Sequence, residues 1–196
     1  MHLIIANQIA EKIPIPNKAA FLIGGIAPDA VSPKELSHFF DGNPSDFSRR
    51  IDYEKFYEKY SSFEQQDYIL GYYTHLIADD LWLTGFYLPW LKNRIANDEV
   101  IFKRYHYDFQ LLNGKLLSYY NIETDLLTFI DEIDFIPDLA EVTVTQVEKF
   151  LPYVKEDMNY NKEDLDERLS VFRFEQIIGY IETAIGKSKL LLKEKL

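Results

Sequence analysis

Apolar positions in this chain recur mostly at intervals of three and four residues, which predicts helices rather than strands. Residues 3–12 carry that spacing and stop before Pro14 and Pro16. Asn17 can cap a second helix, AAFLIGGI, and Gly24 and Gly25 lead from it into Ala27, Pro28 and Asp29. The run Ser32-Pro33-Lys34-Glu35 has the form of a helix start: Ser at the N-cap, Pro in the first turn, Glu three residues on. It predicts a short helix, LSHFF, with His38 in its second turn. Residues 41–48, DGNPSDFS, read as a loop. Further helices are expected over residues 52–60, 63–83, 97–120, 123–133, 142–154 and 164–194, with Gly85 and Pro89 bracketing the aromatic segment LWLTGFYLPW. Only VTVTQV, residues 142–147, is strand-like in composition, and it is too short and isolated to imply a sheet. The expectation is an all-α, multi-helix bundle forming one domain over residues 1–196.

Composition narrows the function classes. A chain of 196 residues with 47% hydrophobic and 27% charged residues can bury a substantial core without disulfides. It holds no cysteine, so any metal site must use nitrogen and oxygen donors. The net charge of −11 repels nucleic acid and anionic surfaces at long range, although a metal ion could still bind one phosphate locally. No stretch offers the ~20 apolar residues of a membrane span. The start, MHLIIANQIAEKI, lacks a basic segment followed by a long apolar one, so a cytoplasmic location is expected.

Candidate chemistry is concentrated in two stretches. GGIAPDAVSPKELSHFF carries Asp29 and His38, and GYYTHLIADDLWL carries His75 and Asp79. His75 and Asp79 are four residues apart, hence one turn apart on one helix face, amid Leu76, Ile77 and Ala78. A bare carboxylate in such surroundings is costly, so Asp79 wants a cation, an arginine or water. Imidazole with carboxylate suits Zn²⁺ and its first-row neighbours. Taken singly, each residue is ordinary, and the case rests on the four together. Gly71, one turn before His75, leaves room for another element to approach. Asp80 points about 100° away from Asp79 and reads as a solvated or capping residue. Lys34, Lys55 and Lys59 read as solvated surface. His106 and Asp108 are candidates for supporting the ligands or touching substrate, with a structural role the commoner outcome. Trp82, Phe86, Tyr87 and Trp90 form an aromatic stripe of the kind that core packing explains, with a substrate wall as the alternative. Gly24 and Gly25 do not form a phosphate loop, since no GxxxxGK[ST] follows.

The ordered series of His2, Asp29 in GGIAPDA, His38 in SHFF, and His75 with Asp79 in GYYTHLIADD resembles the zinc-dependent phospholipase C family, whose helical fold is shared with zinc-dependent single-strand nucleases. The resemblance is carried by the first 95 or so residues, with the remainder a generic helical continuation. It implies that Asp29, His38, His75 and Asp79 hold one metal. It also implies that His2 holds a second, with the Met1 backbone amine and a bridging Asp79. Fuller members add a third metal through two histidines and a glutamate after HxxxD. Here the only later histidine is His106, so one or two Zn²⁺ or similar ions are expected.

The function expected from this is metal-dependent hydrolysis of a small-molecule or lipid phosphoester, with a metal-activated water as nucleophile. The resemblance makes Asp29 the candidate general base. Loss of the third-metal set keeps open a different class, a non-catalytic metal-binding helical protein with a structural or sensing role. An HD-type phosphohydrolase is set aside, because no His is followed directly by Asp.

Overall fold

The computed structural model describes residues 1–122, 126 and 136–196; the helix expected over residues 123–133 lies outside them. Its architecture is all-α apart from one two-residue ladder. The elements are α1 (His2–Ala10), α2 (Lys18–Gly24), α3 (Tyr53–Tyr60), α4 (Gln66–Trp82), α5 (Lys92–Asn97), α6 (Glu99–Tyr119), α7 (Val144–Asp157) and α8 (Phe174–Leu192).

Helix α4 is the axis of the molecule. Every residue from Tyr68 to Ala78 is buried, so its whole circumference is covered by protein. Helices α1, α2, α3 and α8 all pack against it. The closest approach is backbone to backbone. A Cβ placed on Gly71 would lie 2.0 Å from the Phe21 carbonyl oxygen, and one on Gly24 would lie 2.1 Å from that of Tyr68. The room that Gly71 leaves is therefore filled by α2.

Several helix starts follow local signals. The Asn17 side chain accepts from the Ala20 N–H at 3.0 Å, and Asp52 accepts from Lys55 at 3.1 Å. Thr143 and Gln146 form a reciprocal cap for α7, so VTVTQV becomes the entry to a helix. Helix α6 is capped by Asp98 rather than Asn97. After α4 the chain widens into a π-helical stretch, Leu83–Leu91, which contains Pro89 and lets the aromatic segment continue the rod into α5.

Three expectations are corrected. The residues around His38 do not form a helix: a single 3₁₀ turn, Lys34–Leu36, is followed by Phe39 at a left-handed φ of 51°. Bonds beyond the local turn win there, because the Ser37 hydroxyl donates to the Pro28 carbonyl (2.8 Å) and the Tyr72 hydroxyl donates to the Ser37 carbonyl (2.7 Å). The chain then forms an antiparallel ladder of Phe40–Asp41 with Arg50–Ile51, closing the loop over residues 42–49. The last helix starts at Phe174, not near residue 164. The buried Asp108 carboxylate gathers the amides of Ser170, Val171 and Phe172 at 2.7, 2.7 and 3.1 Å, which holds that segment as a loop. Asp80 is not a solvated residue; it accepts the Ile51 N–H at 3.1 Å and so pins the ladder to α4.

Gly71→Ala should destabilise the fold by about 3 kcal/mol or more, because backbone on both sides must move. Gly179→Ala, in α8 where an added Cβ meets nothing within 4 Å, should instead stabilise it by about 0.5–1 kcal/mol. Urea unfolding of both variants checks the contrast in sign.

Candidate metal centre

The α2–α4 contact fixes the first imidazole. His75 is buried on α4, and its Nδ1 lies 2.9 Å from the carbonyl oxygen of Gly25, the residue that ends α2. A carbonyl can only accept, so Nδ1 carries the proton and Nε2 presents its lone pair to the interior. His38 is oriented in the same way from another element. Its Nδ1 is 2.9 Å from Ser37 Oγ, whose own proton goes to Pro28. The two Nε2 atoms therefore face each other at 3.4 Å in a fully enclosed setting.

Two carboxylates complete the cluster. Asp79 Oδ2 lies 3.1 Å from His38 Nε2 and 3.6 Å from His75 Nε2. Asp29 sits in a 3₁₀ turn, Ala27–Ala30, and its Oδ1 lies 3.6 Å and 3.9 Å from the same two nitrogens. The other Asp79 oxygen, Oδ1, is 3.1 Å from His2 Nε2, and the His2 ring stacks on His75 with centroids 3.7 Å apart. Asp79 thus divides its two oxygens between two sets of imidazoles.

The electrostatics follow from this crowding. Burial raises the pKa of Asp29, but His75, His38 and Lys34 outweigh it and hold the carboxyl well below its ordinary value. Asp79 behaves likewise, with His2, His38 and His75 outweighing burial. Burial, with His2 alongside, pushes His75 down to about 4, which keeps it neutral and able to donate its lone pair. Burial also opposes protonation of His38, but bonds to Asp29 and Asp79 win and raise its pKa.

These donors fit a divalent first-row ion. Five of the distances among Asp29 Oδ1, His38 Nε2, His75 Nε2 and Asp79 Oδ2 lie between 3.1 and 3.9 Å. A tetrahedral ion with ligands at about 2.0–2.1 Å would space its donors by about 3.3 Å. His2 Nδ1 is buried without a hydrogen-bond partner, as a donor reserved for a cation would be. The outward Nδ1–H bonds of both buried histidines are the support that metal-binding imidazoles characteristically receive.

A family model described as zinc dependent phospholipase C matches residues 1–181. The chain belongs to this family. The likeness therefore runs well past residue 95, through α6 and α7 and into α8. No curated protein and no solved structure gives a significant match to the chain. The family is zinc-dependent, and the His and Asp groups described here are the ones in this chain with the spacing to hold a metal, among the described residues.

The cluster opens into a cavity of about 840 Å³. His2, Asp29 and Asp79 lie in its lining, with Trp82, Tyr87, Tyr105 and Phe109 as aromatic wall. The aromatic stripe is thus split: Trp82 and Tyr87 reach the cavity, while Phe86 and Trp90 pack on Phe172. His106 also lines the cavity, edge-on to Phe102 and Tyr105. Asp108 does not join it, being committed to the three loop amides. Lys34 is the residue that sequence reasoning missed. Although more than half exposed, it is not a lone surface lysine: its Nζ lies 2.7 Å from Asp29 Oδ1 and 4.0 Å from Asp79 Oδ2. Its place four residues before His38 is the one signal that could have flagged it. Lys59, likewise read as solvated, is paired with Glu141 at 2.6 Å.

His75→Ala or Asp79→Ala should weaken zinc binding at least about a hundredfold, whereas His106→Ala should leave it within a few-fold of wild type. Competition with a chromophoric chelator measures all three, and an equal loss at His106 would place the site elsewhere.

Proposed function

We propose that this protein is a zinc-dependent hydrolase of phosphoesters, acting on a lipid or small-molecule substrate bound in the 840 Å³ cavity. The observation that carries the reading is the meeting of two inward-facing imidazole lone pairs with two carboxylates at the floor of that cavity. Asp29, His38, His75 and Asp79 would hold one ion. His2 and the second oxygen of Asp79 would hold another, with the Met1 amino group, in the same cavity lining, as a further donor. Zinc bound there polarises a phosphoryl oxygen and lowers the pKa of a water towards neutrality.

The chain's own residues supply the rest. The carboxylate of Asp29, about a quarter exposed towards the cavity, takes a proton from the attacking water. The water oxygen bonds to phosphorus as the ester P–O bond breaks, and the proton passes on to the departing oxygen. Trp82, Tyr105 and Phe109 give the apolar part of the substrate a surface and exclude water from one side of the reaction. His75 and His38 keep their protons on Nδ1, held by Gly25 and Ser37, and so do not compete for the proton in transit.

One observation favours a second reading, a non-catalytic metal site with a structural or sensing role: four protein donors suffice to close a tetrahedral shell. Opposing it, both carboxylates face a cavity large enough for a substrate rather than sealed protein.

The purified protein should contain about one to two equivalents of zinc, and metal-stripped protein should lose all hydrolysis of phosphomonoester, phosphodiester and phospholipid substrates until zinc returns. Metal analysis with such a screen checks this; tightly bound zinc without any hydrolysis would favour the structural reading. Asp29→Asn should lower kcat by about a hundredfold or more under saturating zinc. In the same assay, His2→Ala should cost one equivalent of zinc and leave the other bound.

A further inference from the structure

We propose that Lys34 is a built-in cation with two stations: it neutralises the ligand carboxylates when no metal is bound, and it binds the substrate's phosphoryl oxygen once metal has displaced it. The inference rests on the metal-centre reading above and goes beyond it, by adding an anion-binding residue that is not a metal ligand.

The geometry of Lys34 is unusual for a surface lysine. Its Nζ touches Asp29 Oδ1, one of the atoms facing His38 and His75, and lies near Asp79 Oδ2, which faces them too. A divalent ion drawn to those oxygens meets a positive charge already beside them. The two cannot share the same carboxylate oxygens closely, because like charges a few ångströms apart repel. The ammonium must give way.

The root of the side chain does not move when it does. The Lys34 carbonyl accepts the backbone N–H groups of Ser37 at 3.1 Å and His38 at 3.0 Å, so the turn that carries the lysine also carries a ligand histidine. Only the side chain is free, and it is about half exposed in the cavity lining. The displaced charge therefore remains at the mouth of the metal centre, where a phosphoryl group must arrive.

Among the described residues, no other basic side chain of the lining is as free to do this. Arg49 pairs with Glu35 at 3.0 Å and stacks on the Phe40 ring at 3.9 Å. His106 is held edge-on between aromatic rings. The cavity also contains Glu35 and Asp157, in a protein of net charge −11, so an anionic ester needs a local positive group to enter. A lysine, as a compact charge on a flexible stem, can serve two partners in turn.

The experiment uses Lys34→Met, which keeps the stem and removes the charge, and Lys34→Arg, which keeps the charge. Zinc affinity is read by chelator competition, and the affinity of zinc-loaded protein for inorganic phosphate by calorimetry. Lys34→Met should bind zinc about tenfold more tightly and phosphate about tenfold more weakly, while Lys34→Arg should recover phosphate binding to within a few-fold of wild type. Opposite signs in the two measurements are what a structural role would not produce. Unchanged or weaker zinc binding in Lys34→Met, or unchanged phosphate binding, overturns the inference while leaving the metal centre standing. Wild-type protein that takes up no zinc overturns the metal-centre reading itself, and this inference with it.

Discussion

Everything in this structure depends on two helices being able to touch along their backbones. Gly24 and Gly71 remove the side chains that would hold α2 and α4 apart. The resulting approach brings the Gly25 carbonyl within 2.9 Å of His75 Nδ1. That hydrogen bond settles which nitrogen of His75 keeps a proton and which turns inward. A helix pair separated by ordinary side chains, at 8–10 Å between axes, could not supply this contact from a main-chain carbonyl. Packing and chemistry are here the same constraint.

The second half of the centre is assembled against local preference. The stretch from Ser32 to Phe40 carries helix-start signals, yet it turns after three residues and passes through a left-handed residue, Phe39. Bulky residues reach that conformation only when surrounding contacts over-determine it. Those contacts are identifiable: Ser37 to Pro28, Tyr72 to Ser37, and the Phe39 ring edge-on to Phe56 at 5.3 Å. Their combined effect is to send His38 inward to meet His75. Local strain beside a cluster of polar side chains is what a pre-organised site is expected to carry.

Charge explains why the arrangement is stable enough to persist. Two carboxylates and two buried imidazoles in one small volume would repel or be stranded without positive partners. The Lys34 ammonium supplies one, and the cavity gives both carboxylates partial access to solvent. Across the molecule the same economy recurs. The buried Asp108 lies far from the metal donors in role, and it survives burial by accepting three backbone amides. Two aspartates that look alike in sequence thus do different work, one within the His–Asp cluster and one tying a loop.

How much of this was legible in the chain follows from the range of each interaction. Helical periodicity, caps at Asn17, Asp52 and Thr143, and the HxxxD pair are local, so the helical class and the shared face of His75 and Asp79 could be read directly. The ordered set of His2, Asp29, His38, His75 and Asp79 pointed to the family that matches residues 1–181. What the tertiary structure decided lies at separations of 29 to 64 residues. Tyr72 overrides the helix expected at His38, Asp80 anchors the ladder, and Asp108 delays the start of α8. No window of neighbouring residues contains those partners. Lys34 mixes the two ranges, with Asp29 near it in sequence and Asp79 far, and its spacing alone is that of a surface lysine. Only the folding of one turn over another places its charge on the two carboxylates that the metal would use.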